Sequence, residues 1–170
     1  MRRNHVDVMI DMIHDRQLNV FAELGVNMSK MSKRVLQSRV GAQLREYWAI
    51  DPWVPFKDTN WPKAEGKYRH ACQLMRWYPN LHVVRLDDLT AVKLFPDGYF
   101  DCVFIDTSHQ YEHTKAELEA WEPKIRPGGI LSGHDYHARR EIHKGVTIAV
   151  DERYGDRVNE EAEMTWWIQL

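Results

Sequence analysis

The sequence is poor in cysteine, has no long apolar run and carries no large excess of either charge. Its two cysteines, Cys72 and Cys102, lie far apart in segments that read as buried. That excludes a disulfide scaffold and leads us to expect a reduced, cytoplasmic chain. No apolar stretch approaches the length of a membrane span. The N-terminal MRRNHVDVMIDMIHDR has charges through its apolar positions, which does not read as a signal peptide. With 23 Lys and Arg against 25 Asp and Glu, the formal net charge is -2. No basic stripe is left for general nucleic-acid binding. Repeats, low-complexity tracts and linkers are also missing, so residues 1–170 read as one domain able to bury its own core.

What is present is a run of short apolar segments, each ending in a carboxylate. They are NVFAELG with Glu23, EYWAID with Asp51, LHVVRLDD with Asp87 and Asp88, YFDCVFID with Asp106, and GGILSGHD with Asp135. As parallel strands of one sheet, they bring their C-terminal ends to a shared edge, where open α/β sheets bind ligands. Carboxylates there can hold ribose hydroxyls, an amino group or a divalent cation. Capping or turn formation accounts for one such Asp, but five ends together favour a site.

Between these strands the spacing predicts helices. Val6, Met9, Ile10 and Ile13 mark an amphipathic first helix. Others are expected over 29–40, 67–78, 90–95, 111–125 and 145–154, with a loop from Val54 to Gly66. TWWIQL reads as the last strand, with RVNEEAEM before it as a hairpin partner. Trp166 and Trp167 then point to opposite faces. Lys115, Glu117 and Glu119 read as a solvated helix face, and His137 and His143 as exposed loop residues. Strands alternating with helices imply a parallel sheet covered on both faces.

Glu23-x-Gly25 stands at a strand-to-helix turn, where glycine lets backbone approach a ligand and the next helix N-terminus favours polar groups. A tight turn is the plainer reading, and G-x-G-x-x-G is absent. Asp51 has the position to accept hydrogen bonds from a ribose diol, or to form the turn before Pro52.

FPDGYFDCVFIDTSHQYEHTKAELEAWEPKIRPGGILSGHDY, with GVTIAVDE and TWWIQL downstream, resembles the class I S-adenosylmethionine-dependent methyltransferases. It is most similar to the small-molecule and sugar O-methyltransferase branch whose fourth strand reads F-I-D-x-x-H-x-Y. Asp106-x-x-His109-x-Tyr111, Pro127-Gly128-Gly129 and His134-Asp135-Tyr136 carry the likeness. AELGV resembles the family's E-x-G-x-x-x-G, with Ser29 at the second glycine. Asp88 stands where many relatives have serine. The resemblance implies a doubly wound, Rossmann-like, mostly parallel seven-stranded sheet of order 3-2-1-4-5-7-6, with strand 7 antiparallel.

It also implies roles. Glu23 and Gly25 would line the methionine part of S-adenosylmethionine, Asp51 the ribose, and Asp87 and Asp88 the adenine. Asp106 would lie beneath the sulfonium, and Trp53 against the nucleoside unless it is a core residue. Asp106, His109, His134 and Asp135 form the expected catalytic group. Similar enzymes hold magnesium at these strand ends, so Asp106, His134 and Asp135 are candidate metal ligands. An imidazole favours Mn²⁺, Fe²⁺ or Zn²⁺ over Mg²⁺. The alternative is a metal-free site with His109 or His134 as base. The expected partner is a small-molecule or sugar acceptor, with no membrane and no general nucleic acid, and a homo-oligomer left open. The rival functions are an inactive methyltransferase-like subunit and a metal-dependent hydrolase.

Overall fold

The computed structural model describes residues 3–55, 60–138 and 143–170. Its strands are β1 (Val20–Leu24), β2 (Glu46–Ile50), β3 (Leu81–Val84), β4 (Phe100–Ile105), β5 (Ile125–Gly133), β6 (Asn159–Glu161) and β7 (Thr165–Gln169). They form one seven-stranded sheet in the order β3-β2-β1-β4-β5-β7-β6. The first five strands are parallel, and β7 runs antiparallel to both β5 and β6. This is the expected topology.

The helices are α1 (His5–Asp15), α2 (Lys30–Gln37), α3 (Trp61–Leu74), α4 (Asp88–Ala91), α5 (Tyr111–Trp121) and α6 (Lys144–Tyr154). Every residue of β1 and of β4 is buried. Their alternating side chains therefore feed two cores. Phe21 and Phe104, with Tyr47 of β2, meet Met9, Val35 and Leu74 from α1, α2 and α3. Ala22, Val103 and Ile105 meet Leu118, Trp121 and Val150 from α5 and α6. Each fully buried large side chain contributes about 1.5–3 kcal/mol, and both layers are needed to cover a sheet apolar on two sides. Trp166 belongs to the second core and Trp167 packs against the first, as the alternation of TWWIQL requires.

Element boundaries differ from expectation in two informative places. Helix α3 begins at Trp61, inside the segment read as a loop, of which residues 56–59 lie outside the described residues. Asn60 caps it by accepting from Lys63 N at 3.1 Å, and Pro62 occupies its first turn, where a missing N–H costs nothing. Helix α5 stops at Trp121 rather than 125, because Pro123 forces a 3₁₀ turn over Glu122–Lys124. At the far edge Asp101 accepts hydrogen bonds from Asn19 N, Val20 N and the Arg126 guanidinium, pinning the start of β1. At that edge the Asp101 carboxylate holds the fold.

Candidate functional site

The turn after β1 closes against β4. Gly25 has φ +87°, and a Cβ there would lie 1.9 Å from the Asp106 carbonyl oxygen. Glycine is therefore required by the chain's own close approach as well as by the left-handed backbone. Glu23 is buried, accepting from Tyr47 Oη at 2.6 Å and from Ser32 Oγ. Burial raises its carboxyl to about 7 despite both donors. Ser29, at the family's second glycine, also has positive φ (+56°). Its hydroxyl is buried with no partner and does not cap α2. An orphan hydroxyl beside an uncapped helix N-terminus suits an anionic group such as a carboxylate.

Asp51 serves as a turn residue in this structure. One carboxylate oxygen accepts from Asn27 N at 2.8 Å, the other from Trp53 N at 2.6 Å. It therefore ties the β1 turn to the β2 turn, and each oxygen keeps a free lone pair for a further donor. Trp53 is a core residue: 2% exposed, packed on Tyr68 and donating from Nε1 to Asn27 O at 3.0 Å. That placement is the plainer of its two expected fates.

Asp87 is exposed and caps α4 by accepting from Thr90 N at 2.9 Å. Its neighbour Asp88 turns inward, 3.0 Å from His113 Nε2. Glu117, expected on a solvated face, is instead fully buried against Asp88, and Thr107 Oγ1 donates to it. Burial and the Asp88 charge push the Glu117 carboxyl well above the usual range. The Asp88 hydrogen bond raises His113. A proton between the two carboxyls relieves their repulsion.

The second constellation sits at the ends of β4 and β5. Asp106, His109, His134 and Asp135 line a pocket of about 10 Å³ with Thr107, Ser108 and Trp166, close to the volume of one water. The walls of that pocket include neither Gly25, Asp51 nor Asp87. Asp135 is 6% exposed and left-handed (φ +61°), a strained conformation for a residue with a side chain. Its Oδ2 lies 2.7 Å from His109 Nε2, and its Oδ1 lies 2.8 Å from His143 Nδ1 and 3.4 Å from His134 Nδ1. Against the effect of burial, His109 and His134 hold its carboxyl far below the usual range. Burial raises Asp106, while the adjacent carboxylates raise His134 against its own burial.

Ligand atoms of Asp106, His134 and Asp135 lie within 4.8 Å of one another, so these residues fit a divalent cation. His134 Nε2 is buried without a partner.

Sequence reasoning missed three contributors. His143, read as an exposed loop residue, is half-buried against Asp135. His5 and Glu163 form a wall beside the site: His5 Nδ1 is 2.9 Å from Glu163 Oε2, and its ring centroid is 4.6 Å from that of His134. His137 is exposed as expected, paired with Glu160.

The profile of a family described as "Methyltransferase domain" matches residues 22–136. No curated protein sequence matches the chain. Among solved structures, one from Staphylococcus aureus, assigned as a caffeoyl-CoA O-methyltransferase, aligns with a TM-score of 0.71. Identity is 14%, over 99% of this chain and 83% of that one. CalS11, a TDP-rhamnose 3'-O-methyltransferase of calicheamicin biosynthesis, aligns at 0.65 with 18% identity, over 95% and 77%. Cofactor-bound Rv0187 from MTB aligns at 0.70 with 14% identity, over 97% and 78%. These likenesses concern the fold.

Proposed function

The chain belongs to the methyltransferase-domain family matched over residues 22–136, and on that premise we propose that it uses S-adenosylmethionine to methylate a hydroxyl oxygen of a small molecule or saccharide. The observation that carries the chemistry is the Asp135–His109 pair, a carboxylate 2.7 Å from an imidazole at the strand ends. A base oriented by a buried carboxylate is the arrangement proton removal needs. The aligned Staphylococcus aureus protein and CalS11 are both named as O-methyltransferases, which supports an oxygen acceptor.

The cofactor supplies a methyl group on a sulfonium, already activated for displacement. The chain's own residues then bind and align. The turn at Gly25 and Ser29, with the N-terminus of α2, holds the amino-acid end, and buried Glu23 supports that turn from behind. Asp51 accepts from the ribose hydroxyls. Asp87 faces the adenine and Asp88 backs that wall, while Trp53, a core residue, braces the turn through Asn27 O. Asp106 forms the floor beneath the reacting carbon. His109 takes the acceptor's proton, and His134 stands beside the Asp135 carboxylate, 3.4 Å from its Oδ1. Alignment of the two reactants is the main source of rate, and the base adds about 10²–10⁴-fold.

A second reading has a divalent cation, Mn²⁺ ahead of Mg²⁺, held by Asp106, His134 and Asp135. The 4.8 Å convergence and the unpartnered His134 Nε2 favour it. The test is release of S-adenosylhomocysteine with a panel of catechols and free sugars, run in a chelator. Full turnover in chelator, abolished in His109→Ala, supports the base. Turnover lost in chelator and restored by Mn²⁺ supports the cation. No release with any hydroxyl acceptor, with or without metal, contradicts the O-methyltransferase reading.

A further inference from the structure

Asp88, His113 and Glu117 form a cluster to which the scheme above gives no chemical task. Asp88 opens α4, and His113 and Glu117 lie one turn apart on α5. Side chains at i and i+4 share a helix face, the spacing by which a helix presents two ligands to one cation. The fold brings Asp88 onto that face. His113 Nε2 lies 3.0 Å from Asp88 Oδ2 and 3.7 Å from Glu117 Oε1. One ligand atom from each of the three residues lies within 4.8 Å of the others. Bonds of about 2.0–2.2 Å to a tetrahedral ion separate its ligand atoms by about 3.3–3.6 Å. The two distances from His113 bracket that spacing.

Hydrogen bonds within the cluster do not satisfy it. Glu117 is fully buried, and its Oε2 has no partner. Asp88 is buried as well. His113 is the one basic side chain that the described residues pair with either carboxylate. A proton on its Nε2 can bond Asp88, but 3.7 Å is too long for a hydrogen bond to Glu117. A proton shared by the two carboxyls relieves their repulsion and leaves the imidazole out. A cation between the three relieves it and engages the imidazole too. Thr107 Oγ1 donates to Glu117, the kind of outer hydrogen bond that orients a ligating carboxylate.

We propose that Asp88, His113 and Glu117 bind a divalent transition-metal cation, Zn²⁺, which clamps α4 to α5. One imidazole with two carboxylates suits Zn²⁺, whereas Mg²⁺ and Ca²⁺ take oxygen ligands. The site shares no residue with the Asp106, His134 and Asp135 group. Three protein ligands leave a fourth position for water, on the side where the His113 side chain is 32% exposed. Through Thr107 the clamp reaches the wall of the pocket at the end of β4. It does not depend on methyl transfer.

The test is the zinc that the full chain retains on dialysis, counted by atomic absorption, with thermal unfolding of the same samples. Wild type should retain one equivalent that His113→Ala loses. Glu117→Gln, which keeps the side chain's shape and removes its charge, should lose it too. His134→Ala, which removes a ligand from the other group, should keep it. Zn²⁺ should raise the unfolding temperature of wild type and of His134→Ala but not of His113→Ala, since an ion held only by the folded chain stabilises it. If Glu117→Gln does not fold, the half-buried His113 still decides. Equal zinc in wild type and His113→Ala overturns the proposal. So does a wild type that retains none, which leaves the carboxyls sharing a proton. An equivalent lost in His134→Ala and kept in His113→Ala puts the ion at the ends of β4 and β5, and overturns it as well. No cofactor or acceptor is present, so failure of the methyltransferase reading would leave this result standing.

Discussion

Glu23 shows how one buried carboxyl ties the stability of the fold to pH. Its carboxyl is 3% exposed and raised to about 7, above the ordinary 4.5. The folded state therefore holds a proton that the unfolded chain releases between those values. Stability gained from that proton is complete below about pH 4.5 and is lost as pH rises through 7. A shift of this size corresponds to about 3 kcal/mol. Urea unfolding of the wild type should thus give a stability that declines between pH 5 and 8. Glu23→Gln, which cannot ionise, should make that decline shallower, the remainder coming from Glu117, His113 and His134, whose values are also raised. Parallel pH profiles for the two proteins would show that Glu23 is not the titrating group. Gly25 was legible from the sequence as a special turn position, but not its reason. The atom that comes close is the Asp106 carbonyl, brought there by the pairing of β1 with β4.

Among the elements, those that declare themselves through one continuous pattern were readable. The run FDCVFI of β4 is apolar throughout because both faces of the strand are covered. The start of α3 was not readable, since Trp61-Pro62 lies in a proline-rich stretch where Pro reads as a breaker; the Asn60 cap was the available signal. Glu117 was misread because its place on α5 lies one turn beyond His113. That face is buried only once Asp88 of α4 turns towards it. The link between the β1 and β2 turns gives a prediction at this scale. Asp51→Ala removes the acceptor for Asn27 N and Trp53 N. It should lower the unfolding free energy by about 1–3 kcal/mol without any ligand, the scale of hydrogen bonds to a charged group. Unchanged stability in urea would mean that water replaces the carboxylate at no cost.

At the scale of the whole molecule, the shared edge of Glu23, Asp51, Asp87, Asp106 and Asp135 was legible because five parallel strands leave their C-terminal ends on one side. The second wall of the site was not. His5 and Glu163 are 158 residues apart and meet only because α1 packs beside the turn between β6 and β7. His143 reaches Asp135 only because α6 docks through Gly145. Contacts between docked elements leave no periodic trace in sequence. No helix among the described residues is long and apolar enough to cross a membrane.

The proposed function assigns binding to the part of the edge around Gly25 and Asp51 and chemistry to the part around Asp106 and Asp135, and calorimetry tests that division. S-adenosylmethionine should bind the full chain at one site. Asp51→Ala, titrated where it remains folded, should weaken that binding roughly 10- to 100-fold, as loss of a charged hydrogen-bond acceptor implies. Asp135→Asn, which keeps the side chain's shape, should leave it nearly unchanged. No saturable heat from the wild type, or an Asp135→Asn loss as large as that of Asp51→Ala, would contradict a methyltransferase site arranged in this way.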